Sequence, residues 1–102
     1  MARNAEAFEV EEGSPRKREA GAYSFLHNAA GERVGIVHAC PCNCGGRSSI
    51  LFRGKGHDGH QEWDVTGEWP KVTLAPSIGI KPITNGAYHW HGFLEAGVFV
   101  ER

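Results

Sequence analysis

His38-Ala39-Cys40-Pro41-Cys42-Asn43-Cys44-Gly45-Gly46 gathers all three cysteines of the chain into five residues. Neighbouring thiols at this spacing rarely bridge well, and an odd count makes a poor disulfide framework. In a reducing compartment such a cluster more often binds metal. Thiolates are preferred zinc ligands, and a structural zinc takes four donors in a tetrahedron. Cysteine supplies three, so a histidine must supply the fourth. On an extended strand Cys40, Cys42 and Cys44 would share one face. A flat strand cannot bring their sulfurs to the roughly 3.8 Å separation implied by Zn–S bonds of about 2.3 Å. The chain must therefore bend there, and Pro41 and the Gly45-Gly46 pair are placed to bend it. The alternatives are that only two of the three cysteines ligate, or that all three simply pack in a core, as free cysteine commonly does. The fourth donor is sought in Tyr88-His89-Trp90-His91-Gly92, whose two histidines share a face on a strand. His38, two residues before Cys40, is a further candidate that can equally be a strand-face residue.

Outward from the cluster the chain reads as short strands. Ala22–His27 and Arg33–Ala39 flank the turn Asn28-Ala29-Ala30-Gly31-Glu32 and deliver the chain into Cys40. Ser48–Arg53, Glu62–Thr66 and Lys71–Leu74 are further strand candidates. Tyr88–Leu94 and Val98–Val100 form a closing hairpin around Glu95-Ala96-Gly97. Between them, Pro76-Ser77-Ile78 leads into a looser Gly/Pro/Asn stretch ending near Gly86. Residues 1–20 read as a flexible arm, with Phe8 and Val10 able to add one edge strand, and residues 21–102 as one domain. Helical periodicity is missing. The expected fold is mostly β, a small antiparallel sandwich or partial barrel closed by one structural zinc site.

Composition fits a small stapled domain. The 102 residues include 14 glycines and one methionine, which favours turns and short strands over long helices. A chain this short often needs a metal or disulfide to hold it. The formal net charge of -1 argues against a bulk phosphate-binding surface, and nothing indicates a small-molecule substrate. The basic run Arg16-Lys17-Arg18 is flanked by Glu11, Glu12 and Glu19 and reads as a solvated linker. No stretch has the apolar length of a membrane span and no signal core precedes Val10, so the expected location is the cytoplasm.

Three segments together, His38–Gly45, Thr73-Leu74-Ala75-Pro76-Ser77-Ile78 and His91–Val98, resemble the uncharacterised domain-of-unknown-function 6527 family. Its members are small bacterial and phage or prophage proteins, some labelled "ammonia monooxygenase" and some encoded beside ubiquitin-like conjugation genes. The resemblance covers about residues 34–100. It implies a metal-binding module with cysteines in the first motif and a Cys/His pair in the last. Cys40, Cys42, Cys44 and His91 match these positions. Where the family places a cysteine just before the terminal histidine, this chain has Tyr88, His89 and Trp90, so either His89 substitutes or the ligand is lost.

The functional expectation is a zinc-binding module that engages a protein partner, an accessory protein acting in the host cytoplasm if phage-encoded. The alternative is a zinc-dependent, hydrolase-like enzyme with an open metal position, which needs a bound water and a general base such as Glu62, Asp64, Glu95 or His57. The deaminase signature is absent. His57-Asp58-Gly59-His60 reads as a solvated loop, and Trp63, Trp69 and Trp90 as core around the zinc. No nucleophile-elbow glycines surround Ser77, so it reads as a turn or hydrogen-bonding residue.

Overall fold

The computed structural model describes residues 3–57, 59–80 and 89–102. Ten short strands follow one another: β1 (Ala5–Glu6), β2 (Phe8–Glu9), β3 (Ala22–His27), β4 (Arg33–Ala39), β5 (Arg47–Leu51), β6 (Asp64–Thr66), β7 (Thr73–Ala75), β8 (Ile78–Ile80), β9 (Trp90–Glu95) and β10 (Val98–Glu101). They form two four-stranded sheets, β1-β10-β9-β8 and β2-β3-β4-β5, and a two-stranded ribbon, β6-β7. All pairings between strands are antiparallel except β2 with β3. The expected mostly-β fold is the one observed. Among the described residues no helix is long and apolar enough to cross a membrane.

The two larger sheets share a core. Tyr23, Ile36 and Ile50 meet Ile78, Trp90, Leu94 and Phe99 in one buried cluster. The His38 ring of β4 lies stacked on Phe99 of β10, with centroids 4.9 Å apart. Along β9 burial alternates strictly: Trp90, Gly92 and Leu94 face inward, while His91, Phe93 and Glu95 lie on the more open face. Gly92 fits only as glycine. A Cβ there would sit 2.0 Å from the Val100 carbonyl oxygen and 2.8 Å from the Trp90 ring. Gly92→Ala is expected to cost roughly 1–3 kcal/mol by overpacking, measured by urea denaturation. An unchanged midpoint would show that β10 yields at no penalty.

The N-terminal segment, expected as a flexible arm, adds a strand to each sheet. β1 pairs with β10 and β2 pairs with β3, with Ala7 buried at the crossing. β2 falls at the Phe8 edge strand offered by the sequence, whereas the two residues of β1 are too few for apolar alternation to mark them. The segment is then pinned by Glu12. Its carboxylate receives both Arg47 guanidinium nitrogens, at 2.7 and 2.9 Å, and the Ser24 hydroxyl. These donors, Arg47 first, pull the Glu12 pKa from the ordinary 4.5 to about 2. A carboxylate depressed in the folded state stabilises above its unfolded pKa, and that contribution fades as pH falls from about 4.5 towards about 2. Glu12 is 59% exposed, so water screens the pair and the effect is modest. Glu12→Gln is therefore expected to melt below wild type at neutral pH, with the gap narrowing below about pH 4.5 and closing only at about pH 2, read by thermal scans across that range. A gap that persists in acid would exclude this linkage.

Two further expectations meet the structure here. β8 falls in the stretch read as loose, because only its pairing with β9 makes Ile78–Ile80 a strand. The remainder of that stretch, residues 81–88, and Asp58 lie outside the described residues.

Candidate metal cluster and Ser–His pair

The cysteine segment is a tight turn between β4 and β5 rather than a bent strand. The Cys40 N–H donates to the Gly46 carbonyl at 2.8 Å, and the Asn43 N–H to the Cys40 carbonyl at 3.0 Å. Asn43, at φ 68°, turns the chain in the left-handed region that asparagine tolerates. This folding brings together Cys40, Cys42, Cys44 and His89, whose ligand atoms all lie within 4.8 Å of one another. Cys42 is the hub, with its sulfur 3.1 Å from the Cys40 sulfur and 2.7 Å from His89 Nε2. The donor set is that of a closed tetrahedral site. Bonds of about 2.0–2.3 Å to a central ion would set these donors roughly 3.5–3.8 Å apart, a small adjustment from the observed spread.

The protonation of the thiols supports the same reading. Burial, followed by the neighbouring Cys42 thiol, pushes Cys40 up to about 12, while the Gly46 N–H, 3.4 Å from its sulfur, lowers Cys44. Three thiolates this close repel one another unless a cation neutralises them. The four residues can thus hold a metal ion.

Of the three histidines considered for the fourth position, His89 is the one that lies with the cysteines. His91, favoured by the resemblance, stands outside the cluster. His38 is also outside it: fully buried, stacked on Phe99, and lowered by burial to about 4, it is a neutral core histidine. Its Nδ1–H donates to the Ala39 carbonyl at 3.0 Å, and its Nε2 has no partner among the described residues. His57 is tied through Nε2 to the Val34 carbonyl at 2.8 Å. The tryptophans divide. Trp90 is core, whereas Trp63 and Trp69 pack against it from the side and remain partly exposed.

His91 has a different neighbour. Its Nε2 lies 3.1 Å from Ser77 Oγ, and its Nδ1 lies 3.1 Å from the main-chain oxygen of Arg102. A carbonyl oxygen only accepts, so Nδ1 carries the proton and Nε2 presents its lone pair to the Ser77 hydroxyl. Register explains the meeting: Gly79 lies opposite His91 across β8 and β9, and Ser77 is two residues before Gly79 on the same face. Arg102 is held on both sides. Its N–H donates to the His91 carbonyl at 2.9 Å, and its guanidinium grips both Glu95 carboxylate oxygens at 3.0 Å. Trp63 Nε1 donates to the Ser77 carbonyl at 3.3 Å. Both Ser77 and His91 are half-buried and reachable from solvent. From sequence Ser77 reads as a turn or hydrogen-bonding residue, because no nucleophile-elbow glycines surround it. The usable signal was a serine beside a β-strand that pairs with a histidine-bearing strand, and it needs the register to be seen.

Fold and site together define a small β domain with a Cys₃His cluster whose histidine immediately precedes β9 and a serine–histidine pair whose histidine lies on that strand. The chain belongs to the family described as bacterial ubiquitination-like system serine protease (BubE), whose model matches residues 10–101. That family carries a different name from the uncharacterised one its motifs resemble. No curated protein and no solved structure matches the chain.

Proposed function

We propose that this protein is a serine hydrolase that cleaves acyl bonds of protein substrates, with Ser77 as nucleophile and His91 as general base. The observation that carries this reading is the 3.1 Å contact between Ser77 Oγ and His91 Nε2, with the opposite ring nitrogen committed to Arg102. The description of the family as a serine protease supports the same reaction class. In the acylation step Ser77 Oγ attacks the substrate carbonyl carbon as its proton passes to His91 Nε2. The tetrahedral centre then collapses, the bond to the leaving group breaks, and the imidazolium returns the proton to that group. Water repeats the sequence against the acyl-serine, again losing its proton to His91. Arg102 keeps the imidazole in the tautomer that accepts on the serine side.

On this reading the metal is zinc and its role is structural. Four protein donors leave no open coordination position, and thiolate ligands suit zinc. Zinc would be held by Cys40, Cys42, Cys44 and His89, supplying charge neutralisation for the thiolates. His89 immediately precedes β9, the strand on which His91 lies two residues further on. Fixing the first histidine therefore fixes the start of the strand that carries the base. The reduced thiols of such a site belong in a reducing compartment such as the cytoplasm. The protein partner expected from sequence becomes, in this account, the substrate. The test is pre-steady-state hydrolysis of p-nitrophenyl acetate. A burst of nitrophenol matching one equivalent of enzyme is expected, marking an acyl-enzyme. Strictly linear release no faster than buffer would count against the reading.

A further inference from the structure

At Trp63, whose indole N–H holds the Ser77 carbonyl, the surface opens into a groove of about 740 Å³, a size ordinary for ligand sites. It lies where β5 and β6 part company. At Trp63 the two chains are still joined: the Trp63 N–H donates to the Leu51 carbonyl at 2.8 Å and the Arg53 N–H to the Trp63 carbonyl at 2.9 Å. Past that bridge, among the described residues, β6 pairs on one side only, with β7. Phe52, Trp63, Val65 and Trp69 make the apolar walls. Trp69 is braced behind by Phe25, Tyr23 and Phe52, with ring centroids 4.8, 5.2 and 5.8 Å away. It is a firm wall rather than a loose side chain.

The rim is cationic. Arg33, Arg53 and Lys55 face the single carboxylate of Asp64. Arg53 binds Asp64 at 2.7 Å, Lys55 reaches Glu32 at 3.5 Å, and the Arg33 guanidinium lies 3.9 Å above the Phe25 ring. The lining thus carries an excess of positive charge on a chain whose net charge is -1. One side chain links the groove to the main chain of Ser77. The Trp63 ring lines the groove, and the Trp63 indole N–H holds the Ser77 carbonyl.

We infer that this groove receives an extended, acidic segment of the protein substrate, added as a strand along β6, and leads the bond to be cut towards Ser77. The inference rests on the hydrolase reading for its last clause only. A strand edge offers main-chain donors and acceptors at regular spacing, and alternate side chains of an added strand would meet the apolar wall and the basic rim in turn. Those features favour a peptide over a nucleic acid, which would need aromatic platforms and cations but no strand edge.

Two capped hexapeptides test it, one alternating glutamate and valine and one alternating lysine and valine. Binding is followed by tryptophan fluorescence at low salt. Wild type is expected to prefer the glutamate peptide by about tenfold or more. Arg33→Glu with Arg53→Glu is expected to invert that preference, and Lys55→Glu alone, on the exposed rim, to weaken it if the double variant does not fold. Equal affinity for both peptides, or binding of neither, overturns the groove assignment. Tighter, steeply salt-dependent binding of a single-stranded oligothymidine assigns the groove to nucleic acid and overturns it too. Fluorophosphonate labelling of Ser77 is run on the same proteins. Labelling without peptide preference sinks the groove alone. Peptide preference without labelling leaves the peptide site standing and removes its link to cleavage.

Discussion

Ser77→Ala is expected to lower acyl hydrolysis by three orders of magnitude or more, with His91→Ala falling nearly as far and the double variant falling no further. The size follows from removing a nucleophile that nothing nearby replaces. In serine hydrolases, loss of the nucleophile or its base drops turnover by roughly 10⁴–10⁶, and the two losses are grossly non-additive because the groups act as one unit. Non-additivity is the more telling half of the prediction. If Ser77 and His91 contributed separately, their losses would multiply. Ser77→Ala should leave the fold almost intact. It removes one hydrogen bond from a half-buried position, worth about 0.5–1.5 kcal/mol. A variant inactive yet close to wild type in its melting temperature is therefore the expected outcome. Full turnover by Ser77→Ala would remove the serine from the chemistry.

Cys42→Ser should have the largest effect on stability and also a secondary effect on activity. Cys42 touches both the Cys40 sulfur and His89 Nε2, so its loss breaks the cluster at its hub. Free energy of metal binding at a closed structural site is folding free energy, about 10–16 kcal/mol for zinc in small peptides near neutral pH. Much of the β4–β5 turn and the start of β9 depends on it. The expected result is a protein without its equivalent of metal, strongly destabilised, and insensitive to a chelator that destabilises wild type. His89→Ala should behave similarly, whereas His91→Ala should keep its metal. Elemental analysis of the purified variants, with melting curves taken with and without chelator, checks this. Metal retained by His89→Ala and lost by His91→Ala would return the fourth ligand to His91.

The sequence made the three cysteines legible because thiols so close together have few uses besides holding an ion. Both hairpins were legible because each joins β-branched or aromatic runs through a turn with its own glycine. What could not be read was which of two histidines, one just before β9 and one on it, meets the sulfurs. That depends on where the strand begins, and no local signal records it. Ser77 stayed hidden for a related reason. It finds His91 only through the β8–β9 register, 14 residues apart in the chain. β8 itself has no pattern of its own beyond Ile78-Gly79-Ile80. Of the N-terminal strands only an edge strand at Phe8 was legible, while β1, two residues long, is held by pairing rather than by periodicity.

Incubating the intact protein with a fluorophosphonate and mapping the adduct by peptide mass spectrometry tests the account most directly. A single adduct on Ser77 in wild type, absent from His91→Ala, is the result required by a serine whose proton is drawn off by that imidazole. No adduct in a folded, metal-replete protein, or an adduct on another serine, would contradict it.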